Sequence, residues 1–293
     1  AGATERGLDE ILLALIPKNP VGAAARGDIL PLVLFSILFG IFATRLTGTR
    51  RQTFVDVWQG IFDVMMNITG FVMKIAPLGV FGLIARTVAT AGLDGAAPLL
   101  WYALTVAGAL GIHALITLPL LIVFVARVNP IVHVRTMARA LLTAFSTSSS
   151  SATLPITMDG IERGAGVSRR VASFVLPLGA TVNMDGTALY ECVAALFIAQ
   201  AYGVELSAMS QALVVITALL ASIGAAGIPS AGLVMVAVIL GAVGLPLEGV
   251  GLILAVDRIL DMSRTAVNVW SDSTCALVVA RLEGEEPYAT PPA

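Results

Sequence analysis

Charged residues are scarce in this sequence of 293 amino acids. Only 12% of its residues are charged, while 57% are hydrophobic. A soluble globular domain has about 25% charged and about 45–50% apolar residues. The composition therefore excludes an ordinary soluble domain and predicts a membrane protein.

An excess of basic residues is also absent, and cysteine is rare. Lys and Arg number 17 against 19 Asp and Glu, a net charge of −2, whereas a nucleic-acid-binding protein needs a basic surface. Cys192 and Cys275 have no CxxC or Cys/His spacing, so neither a disulfide framework nor a zinc site is indicated. We expect no nucleic-acid partner and no resident cofactor.

Long apolar segments fill the first part of the sequence. Ile29–Leu46, Thr53–Ala91 and Pro98–Ala126 are each rich in apolar residues, and the last carries no charge. About 20 apolar residues suffice to cross a bilayer. The sequence therefore predicts three spans, the second of them interrupted at Pro77 and Gly79.

Beyond residue 129 the apolar segments are broken by small polar residues. Segments 131–166 and 209–245 each contain a small-residue tip that ends in proline, Ser148–Pro155 and Gly224–Pro229. Oppositely oriented repeats of interrupted segments are typical of the binding sites of secondary transporters. We expect two re-entrant hairpins whose tips meet; the alternative is that the tips are packing surfaces between membrane helices.

Basic residues suggest an orientation. They cluster at 45–51, 127–139 and 163–170 and recur at Arg281, and cytoplasmic loops carry the excess of Lys and Arg. The protein is thus expected to be a multi-pass protein of the cell inner or plasma membrane, with its C-terminus in the cytoplasm. The polar segment after Arg281 is expected to be solvated and disordered.

The last apolar segment carries polar residues at helical spacing. They are separated by 4, 3, 4 and 4 positions: Asp257, Asp261, Arg264, Asn268 and Asp272. At about 100° per residue they share a stripe about 80° wide, and each charge in mid-bilayer costs about 2.5–3.5 kcal/mol. A self-contained ion pair is the structural alternative. However, the acids outnumber the base and Asp185 adds another, so bound cations are favoured.

The chemistry of the polar side chains predicts both the ion and the solute. Oxygen donors such as Asp185, Asp272 and Asn183 suit hard cations; sodium fits, and another hard cation stays open. A guanidinium binds a carboxylate with two hydrogen bonds, so Arg264 favours an acidic solute. Asp261 can accept from an α-ammonium while tip N–H groups hold an α-carboxylate, which together describe an acidic α-amino acid.

Other solutes and another class of protein remain as alternatives. A C4-dicarboxylate needs no ammonium acceptor, so Asp261 argues against it, and a neutral amino acid would leave Arg264 unpaired. An intramembrane protease could use paired aspartates or a serine with a histidine. The serine run has no neighbouring histidine in sequence, and Asp257 and Asp261 share a helix with an arginine. We therefore expect a protein that is not an enzyme.

Four motifs carry a resemblance to a known family. They are SSSSATLP at 148–155, NMDGTALY at 183–190, AAGIP at 225–229 and DMSRTAVNV at 261–269. In this order they resemble the glutamate transporter family, the dicarboxylate/amino acid:cation symporters. The resemblance covers essentially the whole sequence.

The resemblance implies an all-α polytopic membrane protein, an inverted-repeat elevator transporter with two opposed re-entrant hairpins and broken transmembrane helices. It also implies a homotrimer in a lipid bilayer. Residues 1–93 would be part of a scaffold and trimerisation region, and 284–293 a cytoplasmic tail. The transport domain would be 94–283: span 98–126, hairpin 131–166, helix 169–203 broken at Asn183–Thr187, hairpin 207–245 and last helix 247–281.

The resemblance also implies residue roles. The acidic amino acid would contact Ser148, Ser150, Thr187, Ile228, Gly232, Asp261, Arg264, Thr265 and Asn268. Sodium would use three sites: Gly179, Asn183, Asn268 and Asp272; Thr181 with Ser222, Ile223 and Ala225; and Asn183 with Asp185. Met184 would link ion and solute.

The sequence departs from the family pattern in two respects. Family members begin with three more membrane helices and part of a fourth, so the sequence is expected to be a fragment. They also often carry a second arginine near the solute, at the positions held here by Ser148 or Met262.

Glu191 is a further candidate, because relatives that co-transport a proton have glutamate at its position. We predict that it is a proton carrier; the alternative is a helix-surface glutamate in a polar crevice. His113 and His133 are isolated in sequence and are expected to be structural.

Overall fold

The computed structural model describes residues 19–26, 29–91, 97–225, 227 and 229–289, and the regular structure of these residues is helical throughout. The chain divides into two compact units, Ala1–Ala96 and Ala97–Ala293. An all-helical chain agrees with the predicted class.

The first unit contains α1 (Pro20–Arg26), α2 (Ile29–Ala43) and α3 (Gly48–Ala91). Helix α2 ends three residues before Leu46, in a turn at Thr44 and Arg45. Aromatic side chains join α2 to α3, with Phe39 packing 5.7 Å from Phe54 and 6.0 Å from Trp58 between ring centroids.

Helix α3 has 44 residues and continues through Pro77 and Gly79. The predicted interruption at these two positions is therefore wrong. A proline removes a single backbone donor, and an apolar helix tolerates it where neighbouring groups satisfy the freed carbonyl.

The second unit begins with α4, a continuous 30-residue helical segment, Ala97–Ala126. It contains two π-helical turns, His113–Thr117 and Ile122–Ala126. Among the described residues, α4 and the stretch Arg169–Ala201 are long and apolar enough to cross a membrane. A π-helical turn redirects side chains and frees backbone carbonyls, and such turns are frequent at functional sites.

Two helical hairpins are present at the positions where the sequence has small-residue tips. Helices α5 (Pro130–Thr147) and α6 (Ser150–Asp159, extended by a π turn Gly160–Gly164) form the first. Gly160 packs against Met137, so these arms run antiparallel. Helices α9 (Ala208–Gly224) and α10 (Ala231–Ala242) form the second.

The helix between the hairpins is broken more narrowly than predicted. Helix α7 (Arg169–Val182) and helix α8 (Asp185–Ala201) are separated only by Asn183 and Met184. The expectation that the break reaches Thr187 is wrong, because Asp185 starts the second helix. Its carboxylate accepts the N–H of Gly186 at 2.8 Å, and an acidic side chain is favourable in a first helical turn.

The last helix, α11 (Val250–Leu282), runs unbroken for 33 residues after a short 3-10 turn. It packs against α4, α5, α7, α8 and α10. Its C-terminal half contributes Leu277 to an apolar core with Ile122, Met137 and Leu176. This core holds α11 in place and presents the polar residues of its middle to the hairpin tips.

The segment after Arg281 is ordered as far as it is described, so its predicted disorder is wrong for residues 282–289. Glu285 accepts a hydrogen bond from the N–H of Ser168 at 2.9 Å, and the N–H of Tyr288 donates to the carbonyl of Ala165 at 2.8 Å. The acidic composition suggested solvation, but these residues have specific partners at the start of α7.

Candidate functional site

The polar stripe of α11 is buried in the middle of the second unit. All five side chains are at most 4% exposed, as expected of one inward face: Asp257, Asp261, Arg264, Asn268 and Asp272. The stripe is not uniform, because its first half contacts α8 and the second hairpin, whereas its second half contacts the break between α7 and α8.

Arg264 is the central cation of the first half. One of its terminal nitrogens pairs with Asp261 on the same helix, and its guanidinium lies 4.9 Å from the ring centroid of Tyr190. Its Nε and Nη1 atoms are buried, and the described residues offer them no hydrogen-bond partner. Buried unmatched donors are costly, so Arg264 is poised to bind an anion.

Gly232 makes room for this guanidinium. A Cβ atom added at Gly232 would overlap Arg264. The predicted pairing of Gly232 and Arg264 in one site therefore has a steric basis: only glycine leaves α10 close enough to cover the arginine.

A second arginine changes the charge balance around Asp261. Nη1 of Arg258 lies 3.8 Å from Oδ2 of Asp261, and Tyr190 donates to Oδ1 of Asp257 at 2.6 Å. At the start of the stripe, two aspartates therefore face two arginines. Arg258 lies about 100° from Asp257 around the helix and adds a second base. The predicted excess of acids is smaller but persists, because Asp257, Asp261, Asp272 and Asp185 outnumber the two arginines.

The tips of the two hairpins touch each other. The hydroxyl of Ser149 donates to the carbonyl of Gly227 at 2.7 Å, and the N–H of Ser151 donates to the same carbonyl at 3.2 Å. Ser148 has a left-handed backbone with φ of 53°, and its buried hydroxyl has no partner among the described residues. The tips meet, as the sequence predicted.

A small cavity of about 10 Å³ lies between the tips and α11, room for about one water molecule. Its lining includes most of the residues predicted to bind the solute: Ser148, Ser150, Thr187, Gly232, Arg264, Thr265 and Asn268. Met184 also lines it. Asp261 does not line the cavity but pairs with Arg264, which does. Ile228 lies outside the described residues.

The break between α7 and α8 brings together three of the four residues predicted for one sodium site, Gly179, Asn183 and Asp272. Nδ2 of Asn183 donates to Oδ1 of Asp272 at 3.0 Å, and a Cβ at Gly179 would lie 2.6 Å from the same oxygen. Asn268 donates to Oγ1 of Thr187 at 2.9 Å. Its own Oδ1 is buried and has no partner in the described part of the chain, so it remains available as a ligand.

The residues of the second predicted sodium site, Thr181 with Ser222, Ile223 and Ala225, are not joined to one another by side-chain hydrogen bonds in the described part of the chain. The exposed Thr181 donates to the carbonyl of Leu178 at 3.1 Å, and Ser222 donates to the carbonyl of Leu219 at 3.0 Å. Ile223 is 40% exposed, whereas Ala225 is buried at the tip. Within the described ranges, no hydrogen bond connects Thr181 to the second hairpin.

Asp185 is held by a residue that was expected to be structural. Nε2 of His113 lies 2.6 Å from Oδ2 of Asp185. His113 is the first residue of a π-helical turn, and the carbonyl of the next residue, Ala114, accepts from Nε1 of Trp270 at 3.2 Å. His113 therefore contacts a residue predicted to bind an ion, and its assignment as a packing or interfacial residue stays a prediction.

Glu191 is completely buried, and neither carboxylate oxygen has a hydrogen-bond partner among the described residues. The alternative of a helix-surface glutamate in a polar crevice is therefore wrong.

Sequence comparison identifies the family. The family model described as "Sodium:dicarboxylate symporter family" matches residues 1–282. The chain belongs to this symporter family. It is therefore a member of a family of membrane transporters, which at this level agrees with the prediction that it is not an enzyme.

Named relatives are similar over most of the chain. It is 40% identical to a "Proton/glutamate-aspartate symporter" of Escherichia coli over 96% of the chain and 64% of that protein. It is 46% identical to an "Excitatory amino acid transporter 3" of Mus musculus over 88% of the chain and 50% of that protein. It is 42% identical to the transporter of the same name from Homo sapiens, over 97% of the chain and 55% of that protein. The chain thus spans about half to two-thirds of the length of these relatives.

The sequence interpretation of this symporter-family chain missed two site contacts, and only the first of them lacks a local signal in the sequence. The contact of His113 with Asp185 joins residues 72 positions apart, and no spacing signals it. Arg258 was visible as a charge in an apolar segment, and its position three residues before Asp261 would have indicated an i, i+3 ion pair.

Proposed function

We propose that the protein is a cation-coupled secondary active symporter of acidic amino acids, glutamate or aspartate. The observation that carries this proposal is Arg264, a buried cation with two unmatched donors at a cavity between two hairpin tips. The names of the relatives, which include glutamate and aspartate transport, support the same substrate class.

Each part of an acidic amino acid would have a complementary group at or next to this cavity. The side-chain carboxylate would bind Arg264, the α-ammonium would bind Asp261, and the α-carboxylate would bind the serine tip at Ser148 and Ser150. Thr187, Gly232, Thr265 and Asn268 would complete the contacts, with Ile228 of the second tip. A neutral amino acid would leave the cation without an anion, and a C4-dicarboxylate would leave Asp261 without its partner.

Sodium is the proposed coupled ion; it would be transported together with the solute and would not be a resident metal of the protein. Gly179, Asn183, Asn268 and Asp272 would supply hard oxygen ligands beside the broken helix. Within the described residues, no cluster of three or more His, Cys, Asp or Glu side chains suits a metal, so amide and backbone oxygens would have to contribute. Two further sites would use Thr181 with Ser222, Ile223 and Ala225, and Asn183 with Asp185.

Glu191 is the proposed carrier of a co-transported proton. A buried carboxylate without a hydrogen-bond partner is costly, whereas its protonated form is neutral. The family relative from Escherichia coli is named a proton symporter, which supports this role.

Transport would follow an elevator mechanism. The segment 94–283 would carry solute and ions, with re-entrant hairpins 131–166 and 207–245 closing on the cavity. The segment 1–93 would belong to a scaffold of a homotrimer, and the C-terminus would lie in the cytoplasm. The cavity holds about one water molecule, so a hairpin tip must move to admit an amino acid.

Counterflow with the full-length natural protein in proteoliposomes tests this function. The vesicles would be loaded with unlabelled aspartate and offered labelled aspartate, glutamate, succinate or serine, with and without sodium. We expect sodium-dependent exchange of aspartate and glutamate. Aspartate exchange that ignores sodium would disprove the coupling, and a preference for serine would disprove the role of Arg264.

A further inference from the structure

Arg258 lies one helical turn before Asp261 on α11. Its Nη1 atom is buried and lies 3.8 Å from Oδ2 of Asp261, while its side chain as a whole is 40% exposed. This distance allows an ion pair but exceeds a hydrogen bond. Arg258 therefore acts on Asp261 mainly through its charge.

Asp261 is shared among several groups. Its Oδ1 atom pairs with Arg264, and its Oδ2 atom accepts the N–H of Ser230, at the second tip, at 3.1 Å. Arg258 approaches this second oxygen. The negative charge of Asp261 is thus partly neutralised from both sides along the helix.

The two arginines differ in their relation to the cavity. Arg264 lines the cavity, whereas Arg258 is not among its lining residues. A solute carboxylate can therefore contact Arg264 directly. Arg258 influences a solute only through the electrostatic potential at Asp261.

We propose that Arg258 sets how strongly the site prefers a solute with an ammonium group over a dicarboxylate without one. This inference rests on the proposed function, in which Asp261 receives the α-ammonium. Arg258 is a positioning residue: it acts through Asp261 and does not contact the solute.

Electrostatics gives the direction of the effect. A fixed cation close to Asp261 weakens the attraction between this aspartate and an ammonium group, and it strengthens the attraction for an additional carboxylate. Without the cation, aspartate should bind more tightly and succinate more weakly. Because Arg258 is partly exposed, solvent screens its charge and limits the effect. We expect its removal to raise the preference for aspartate over succinate by roughly 10-fold.

The test uses Arg258→Gln, which removes the charge but keeps hydrogen-bond donors, and Arg258→Lys, which keeps the charge. In the full-length natural protein, uptake of labelled aspartate into proteoliposomes would be competed with unlabelled aspartate and with succinate. The ratio of the two half-inhibitory concentrations should change by roughly 10-fold in Arg258→Gln and by less than about 2-fold in Arg258→Lys. Arg163→Gln is the matched control, because Arg163 is an exposed arginine paired with Asp159.

Each outcome decides between the claims. If the parent takes up aspartate and Arg258→Gln keeps the parental ratio, Arg258 has only a structural role and the inference is wrong. If the parent takes up no aspartate, the proposed function fails and the inference fails with it. Should Arg258→Gln not fold, Arg258→Met keeps the apolar stem without the charge and must show the same change of ratio.

Discussion

The phenol oxygen of Tyr288 lies 2.8 Å from Nδ1 of His133, which precedes it by 155 residues. His133 is fully buried, stacks on Trp270 with 4.9 Å between ring centroids, and lies with Nε2 3.1 Å from Oγ of Ser273. Tyr288 thereby connects the segment after α11 to the first hairpin. Glu285 also binds Ser168, the residue before α7. The C-terminal segment therefore links the end of α11 to the first hairpin and to the start of α7.

Tyr288→Phe should lower the thermal stability of the full-length protein. Burial raises the pKa of the Tyr288 phenol above its ordinary value, so the hydroxyl stays neutral at physiological pH. Removing it leaves a ring nitrogen of His133 unmatched, which costs about 1–2 kcal/mol and should reduce Tm by about 2–4 °C per kcal/mol. Thermal unfolding in detergent measures the shift.

Glu283→Gln is the control for this variant. Glu283 is also in the C-terminal segment, but its carboxylate lies 3.8 Å from an exposed Arg170, and such pairs contribute little. Equal melting temperatures for Tyr288→Phe and Glu283→Gln would contradict the assigned role of the hydroxyl.

Gly232→Ala should weaken the binding of acidic solutes. The added methyl group would overlap the guanidinium of Arg264 and displace it from Asp261 and from the cavity. Losing a charge-assisted contact to a carboxylate should weaken affinity by about 10-fold or more. Competition of labelled aspartate uptake by unlabelled aspartate measures the change.

Gly241→Ala provides the matched comparison in the same helix. A Cβ at Gly241 meets nothing within 4 Å, and alanine is favoured over glycine in a helix by about 1 kcal/mol. We therefore expect unchanged affinity and equal or higher stability. The steric explanation would be untenable if both alanine variants lost affinity to the same extent.

Much of the site could be predicted because its signals are local. The stripe from Asp257 to Asp272 follows from helical periodicity, and the tips at Ser148 and Gly227 follow from small residues that interrupt apolar segments. In a lipid medium, polar residues and non-helical backbone need specific partners. Their presence in the sequence therefore identifies where partners converge.

Other features depend on long-range contacts that sequence does not encode locally. The acidic end of the chain was expected to be disordered, yet Glu285 and Tyr288 find partners at Ser168 and His133. Helix α3 likewise continues through Pro77, although proline usually interrupts a helix. Composition predicts the average behaviour of such segments, and specific hydrogen bonds override it.

His113→Phe should weaken the apparent affinity of the transporter for sodium. His113 holds Oδ2 of Asp185 at 2.6 Å, and phenylalanine keeps the ring but offers no hydrogen bond. Without this hydrogen bond the carboxylate of Asp185 would be less well oriented to bind an ion. Residues that hydrogen-bond to metal ligands typically contribute about 10–100-fold to metal affinity. We expect a several-fold higher sodium concentration at half-maximal aspartate uptake.

Leu115→Ala tests whether this effect is specific to His113. Leu115 belongs to the same π-helical turn but is 78% exposed. Its variant should keep the parental sodium dependence. An unchanged sodium requirement in His113→Phe would show that the contact with Asp185 has no part in ion binding.

Glu191→Gln should remove the pH dependence of uptake while preserving the binding of substrate. Glutamine has the shape of the protonated acid and cannot release a proton, and Glu191 is fully buried without a hydrogen-bond partner among the described residues. Initial rates of aspartate uptake would be measured at a series of pH values on both sides of neutrality. Glu205→Gln, at an exposed position after α8, should retain the parental profile. If Glu191→Gln also retained it, the proton would have to be carried by another group.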